Sequence, residues 1–256
     1  MNRYTILVRH ELRRALKSVV PRLVFVAMAI GLVVFLRRTF SLALQLTGRI
    51  GADGSEQAVP GMAVLFSFVV LVYFGYTAFD DFGFGMWDRL RVNGVRSVET
   101  LSAKATVMFL HLMAHLTLVF GAGVAFFGLE LRGSSAWIVL LSICFALMCA
   151  AYAFLGFSLS SSNALYNAWC YVGALAMTAV GGGLVPFEVL PDWARWIAPA
   201  TPAYWALQGY RKAIEGGASA GELGRAALAL VGFAAIFALV GVWRYDPADD
   251  REAFAL

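Results

Sequence analysis

Five runs without Asp, Glu, Lys or Arg are the candidate spans of this chain: residues 23–36, 57–79, 105–129, 133–187 and 226–243. A helix that crosses a bilayer needs roughly 20 mostly apolar residues, and these runs are the constraint every fold of this chain must meet. The fourth, at 55 residues, is long enough for two crossings. Within it SLSSSNALYN, residues 158–167, gathers Ser and Asn, which compete for backbone hydrogen bonds and favour turns over helix interiors. The run therefore divides into spans near residues 137–157 and 168–185. The first run is short, with 14 residues between Arg22 and Arg37, and becomes a full span if it starts near Ser18 and Arg22 snorkels to the interface. The expectation is an all-α polytopic membrane protein with six transmembrane helices in a single domain, residues 1–256. Its composition agrees, with 61% hydrophobic residues and 14% charged ones against about 25% charged in soluble domains.

An even number of spans puts both termini on one side. That side would carry 12 of the 20 Lys and Arg residues, six of them at the N-terminus, which points to cytoplasmic termini in a plasma (inner) membrane. The N-terminal stretch MNRYTILVRHELRRALKSVVPR is not a cleaved signal, because no small-residue cleavage site follows its short apolar run. Tyr4, Leu7, Val8, Leu12, Ala15, Leu16 and Val19 share one arc of a helix and Arg3, Arg9, His10, Arg13, Arg14 and Lys17 the other. Residues 1–20 thus read as an interfacial amphipathic helix on an anionic leaflet. Glu11 interrupts the apolar arc. It either pairs locally with Arg14 at i+3 or contacts another subunit.

Chemistry-bearing groups are sparse. Cys144, Cys149 and Cys170 all fall in apolar spans with no spacing that suggests a disulfide framework or zinc site. His111 and His115 lie one turn apart on the third span, without an Asp, Glu or Cys beside them to complete a metal set, and suit helix–helix hydrogen bonding better than metal binding. No carboxylate lies in the middle of a span, which counts against an ion-coupled carrier. There is no GxxxxGK[ST] phosphate cradle and no GxSxG elbow. A membrane body without its own engine takes energy from a partner.

The largest inner connection, residues 80–104, reads DDFGFGMWDRLRVNGVRSVETLSAK. Asp80 and Asp81 end a helix where its dipole disfavours anions, a placement that demands a partner. Turns at Gly83, Gly85, Asn93 and Gly94 leave residues 86–92 as a short amphipathic helix. On the outer side, GGGLVPFEVLPDWARWIAPATPAYWALQGYR, residues 181–211, holds prolines at 186, 191, 199 and 202, so no continuous helix crosses there. Its Trp and Tyr residues favour a membrane–water boundary.

The inner loop GMWDRLRVNGVRSVETLSAK resembles that of ABC-2 type transporter permeases, the membrane subunits of ATP-binding cassette exporters. The outer Pro-Phe-Glu-x-Leu-Pro-x-Trp element and the Arg-His-Glu-Leu-Arg-Arg stretch before the first span resemble the same family. The resemblance implies a coupling loop at residues 80–104, with Glu11, Met86, Trp87, Asp88, Arg89, Leu90 and Arg91 facing an ATPase. It also implies an extracellular gate from a re-entrant helical hairpin at residues 186–210, with Gly181, Gly182, Gly183, Pro186, Phe187, Glu188, Pro191 and Trp193. Phe25, Phe35, Phe66 and Tyr73 are candidates to line a pathway. Two cytoplasmic ATPase subunits would bind ATP and Mg, no cofactor being expected in this chain. A second permease copy, the same chain or a paralogue, and membrane lipids complete the implied partners, with no nucleic acid. The compact outer connection between the first two spans resembles drug- and lipid-exporting members. Export of a lipid-linked glycan is the alternative, and a membrane-embedded enzyme or assembly factor a distant one.

Overall fold

The computed structural model describes residues 3–17, 19–46 and 53–246. Eleven α-helices follow one another among them, with no strand: α1 (Arg3–Lys17), α2 (Val19–Leu46), α3 (Ser55–Val70), α4 (Val72–Gly83), α5 (Met86–Val92), α6 (Ser97–Phe127), α7 (Ser135–Leu159), α8 (Asn163–Val180), α9 (Asp192–Ile197), α10 (Pro202–Glu215) and α11 (Ala220–Arg244). Five units are long and apolar enough to cross a membrane: α2, the continuous pair α3–α4, α6, α7 and α11. The expected sixth span is the exception. α8 has 18 residues, about 27 Å at 1.5 Å per residue against a hydrocarbon core of about 30 Å. Asn163 and Asn167 occupy its first turns.

The shortest uncharged run produces one of the longer helices. α2 extends 28 residues and carries Arg37 and Arg38 within it, because a long cationic side chain can follow the helix surface outward without ending the helix. Its buried residues, Ala29, Val33, Phe40 and Leu44, recur at spacings of four and seven. That stripe packs on α3 with α6 beside it, and much of the remaining circumference faces away from the bundle.

α3 is the centre of the bundle and nearly every residue of it is buried. It meets α2, α6, α8 and α10. At Leu71 the α3–α4 helix tightens, and the Leu71 carbonyl accepts hydrogen bonds from the Phe74 N–H at 2.9 Å and from the Tyr166 phenol of α8 at 2.8 Å. A buried carbonyl disturbed by a helix irregularity is thereby satisfied. Around it Phe74, Phe79, Phe157 and Tyr166 meet ring to ring, and Phe68, Phe145 and Tyr152 continue the aromatic core toward the other end of the bundle.

The polar 158–167 stretch makes the expected turn: α7 stops at Leu159, and the Ser162 hydroxyl accepts the Leu165 N–H as the cap of α8. α11 lies against α7. The proline-broken stretch is likewise discontinuous, made of a 3-10 turn at Phe187–Val189, α9, a second 3-10 turn at Ala198–Ala200, and α10. α10 is a 14-residue helix that begins at Pro202 under the Thr201 cap and packs on α3, α7 and α11.

Candidate functional site at a charged junction and a glycine turn

At one end of the bundle α1, α4 and α6 meet through four charges. Lys104 Nζ of α6 donates to Glu11 Oε1 of α1 at 2.9 Å and to the Thr77 carbonyl at 3.1 Å, and lies 2.7 Å from Asp81 Oδ2 of α4. Arg14 Nη1 donates to Asp81 Oδ1 at 2.8 Å and stands 3.7 Å from Glu11. Two cations and two carboxylates close a neutral network. The Lys104 side chain is 1% exposed, so its ammonium depends wholly on these partners. Burial alone would lower the Arg14 pKa, but the fields of Asp81 and Glu11 and the bond to Asp81 outweigh it, and the value is raised. The Tyr4 hydroxyl and Thr106 hydroxyl, 2.6 Å apart, extend the seam between α1 and α6, and an Arg3 bond to the Gly94 carbonyl at 3.3 Å carries it to the loop preceding α6.

Glu11 is therefore committed inside this chain. The local Arg14 neighbour exists at 3.7 Å, but the stronger partner is Lys104, 93 residues away. The dipole argument at Asp80 and Asp81 did call for a partner. That the cations are Lys104 and Arg14 was not visible, since only the fold brings α1, α4 and α6 together.

The seven-residue helix α5 stands where the loop pattern placed it, between turns at Gly85 and Asn93–Gly94. Its orientation corrects one expectation. Trp87 is 2% exposed; its indole N–H donates to the Ala78 carbonyl at 3.3 Å and its ring stacks on Phe82 at 4.7 Å. It is an internal joint to α4, because a bulky ring at this position can bury more area under α5 than in water. Met86 and Leu90 are half-buried, and Asp88, Arg89 and Arg91 point outward. The apolar surface around them comes instead from Phe84, Val98 and Val92, the last 87% exposed.

At the opposite end, residues 181–183 form a turn set tightly into the bundle. Gly182 has φ of +90°, a conformation that favours glycine, and its carbonyl accepts Gln57 Nε2 of α3 at 2.6 Å. Gly61 of α3 lies so close that a Cβ there would stand 2.3 Å from the Gly183 carbonyl oxygen, and one on Gly181 would meet the Tyr204 nitrogen at 2.8 Å. Pro186 is buried, and Phe187 packs on Tyr204 with ring centroids 5.2 Å apart. Glu188 is clamped by Arg211 of α10, which also reaches Glu215 at 3.3 Å. Pro191 precedes α9, where Arg195 pairs with Asp192, and Trp193 and Trp196 are exposed. Gln57 and Arg211, which hold this turn, carried no motif. A polar residue opening an apolar run was the one available signal for Gln57.

The four pathway candidates do not converge. Phe25 meets Tyr73 edge to face at 5.9 Å, with the Arg22 guanidinium 5.0 Å from the Tyr73 ring centre. Phe66 is in the core, while Phe35 is 77% exposed on α2. His111 and His115 have no companions: among the described residues no group of three His, Cys, Asp or Glu side chains could hold a metal. The three cysteines are free and buried.

No curated protein matches the chain in sequence. The profile of the ABC-2 type transporter family matches residues 3–214, from α1 through the charged junction, the α5 loop, the glycine turn and most of α10. With five helices able to cross a membrane, this is a multi-pass membrane protein and a transport subunit rather than an ATPase, and the chain belongs to the ABC-2 type transporter family.

Proposed function

We propose that this chain is the permease of an ATP-driven exporter that moves a hydrophobic or amphipathic compound, a drug or a lipid, out of the cell. Two copies, or one copy and a paralogue, would form the membrane body. ATP and Mg would be held by two separate ATPase subunits on the cytoplasmic side of the plasma (inner) membrane, where both termini lie. α8 then serves as the shorter fifth of six spans, α1 lies along the inner interface, and α9 with α10 re-enters the outer leaflet as a gate.

The observation that carries the reading is the build of the α5 loop. Its outer face offers Phe84 and Val92 among Asp88, Arg89 and Arg91, the mixture of apolar centre and polar rim found at protein interfaces. Its inner face is fastened to α4 by Trp87. Three residues before Phe84, Asp81 locks onto Lys104 and Arg14. A push on α5 therefore reaches α4, α6 and α1 through a stacked ring and a closed ion-pair network rather than through a loose loop. The outer turn at Gly181, Gly182 and Gly183 rests on α3, the same continuous helix pair whose other end carries Asp81, which supplies a physical path from docking face to gate.

Copurification tests this. The tagged chain should retain an ABC-type ATPase, and reconstituted complexes should accumulate an amphipathic dye on the outer side of the membrane only with ATP and Mg. An ATPase-free preparation that still moves dye would refute the reading.

A further inference from the structure

Between α6, α7 and α11 a cavity of about 280 Å³ opens on the bundle surface, lined by Leu101 and Ala105 of α6, Ala150 and Phe154 of α7, and Ala238 and Val242 of α11. It is close to the size at which small-molecule sites begin, roughly 300 Å³. Small side chains make it: alanines at 105, 150, 151 and 238 stand where larger residues would close the helix contacts. All three helices are membrane-crossing candidates, so this groove faces hydrocarbon and not water.

One end of the groove is charged. Val98 and Val242 line it, and Arg96 and Arg244 follow within two residues of them, Arg96 just before α6 and Arg244 as the last residue of α11. Both are exposed, and among the described residues no ion pair engages either. Among the described residues, the acids nearest to these arginines in sequence are Glu99, whose carboxylate takes the Arg96 backbone N–H at 2.9 Å, and Asp246. Tyr245 closes the rim, and Trp243, an interfacial type of residue, projects beside it.

We infer that this groove is a binding site for an anionic phospholipid of the leaflet on the α1 side, with an acyl chain between α6, α7 and α11 and the headgroup phosphate held by Arg96 and Arg244. The pairing of a long apolar slot with two cations at its mouth matches a molecule that is apolar along its length and anionic at one end. A neighbouring protein helix would fill the slot but leave both guanidiniums unanswered. Two arginines at a membrane surface favour an anionic over a zwitterionic lipid by about 30-fold.

The inference rests on the membrane assignment and not on transport, and the test needs no ATPase. The full chain in detergent would be titrated with dioleoylphosphatidylglycerol and dioleoylphosphatidylcholine and the bound lipid counted by native mass spectrometry. Phosphatidylglycerol should bind about 30-fold more tightly, the preference should vanish in Arg96→Gln/Arg244→Gln, and Ala238→Phe should displace both lipids. Equal affinities, or a preference that survives loss of both arginines, would overturn the proposal. So would disulfide formation between two copies through Ala238→Cys in native membranes, which would show a second chain covering the groove. Should Ala238→Phe not fold, the arginine variant, at two exposed positions, decides alone.

Discussion

Replacing Lys104 by Met keeps the length and apolar stem of the side chain and removes one charge. In the native chain Lys104 and Arg14 balance Glu11 and Asp81, and the carboxylates are nearly as buried as the lysine, their side chains 10% and 6% exposed. Lys104→Met leaves two carboxylates to share Arg14, which is 3.7 Å from one and 2.8 Å from the other. Removing one partner of a buried ion pair costs about 3–5 kcal/mol, most of it the penalty of the charge left behind. For a chain of this size a kcal/mol corresponds to a shift of roughly 2–4 °C in Tm, so a fall of about 6–20 °C is expected. The assay is supplied by the protein: Cys144, Cys149 and Cys170 are free and buried, and a thiol-reactive dye reports unfolding as they become exposed. Adding Asp81→Asn to Lys104→Met restores neutrality and should recover part of the lost Tm, since Glu11 can then take Arg14 alone. If the double variant melts below Lys104→Met, or Lys104→Met melts with the native protein, the network does not hold the junction.

Other substitutions separate the two faces of α5 and probe the outer end. Trp87→Ala should cost about 3–5 kcal/mol as a large buried side chain and depress Tm. Val92→Asp should leave Tm unchanged while weakening retention of the ATPase in a pull-down by more than about 1 kcal/mol, the scale of an interface anchor. Gly61→Ala, whose new Cβ would press on the Gly183 carbonyl, should destabilise by about 1–3 kcal/mol, whereas Gly31→Ala, with open space around it, should not lower Tm. Reporter fusions after Gly54 or at Ser219 should read outside, and those after Asn93 or Ser161 inside. Two adjacent sites reading the same side would break the six-span topology.

Local features were legible in the sequence and long-range ones were not. The Ser and Asn cluster at 158–167 located the α7–α8 turn because it works through the backbone of its own residues. Four prolines made the 181–211 stretch discontinuous for the same reason. α2 was harder to delimit, since Arg37 and Arg38 looked like the end of a span and are instead carried within the helix. α8 is shorter than the run that contains it because the glycine turn at 181–183 folds back onto α3 and α10, a packing event with no local signature. The Trp87 side chain was expected outside because seven residues do not reveal which side of a helix a neighbouring helix will cover. The charged junction joins residues 11, 14, 81 and 104, and only Glu11, interrupting its apolar arc, and Asp81, placed against its helix dipole, announced that a partner was missing.

The central claim, that a partner's ATP hydrolysis enters this chain through α5, is tested most directly by measuring ATPase activity in reconstituted complexes of the native chain and of Phe84→Asp/Val92→Asp, with Tm recorded alongside. The account predicts an unchanged Tm, since both residues are exposed, together with loss of the bound ATPase and of compound-stimulated hydrolysis. A double variant that keeps both its partner and its stimulation would contradict it.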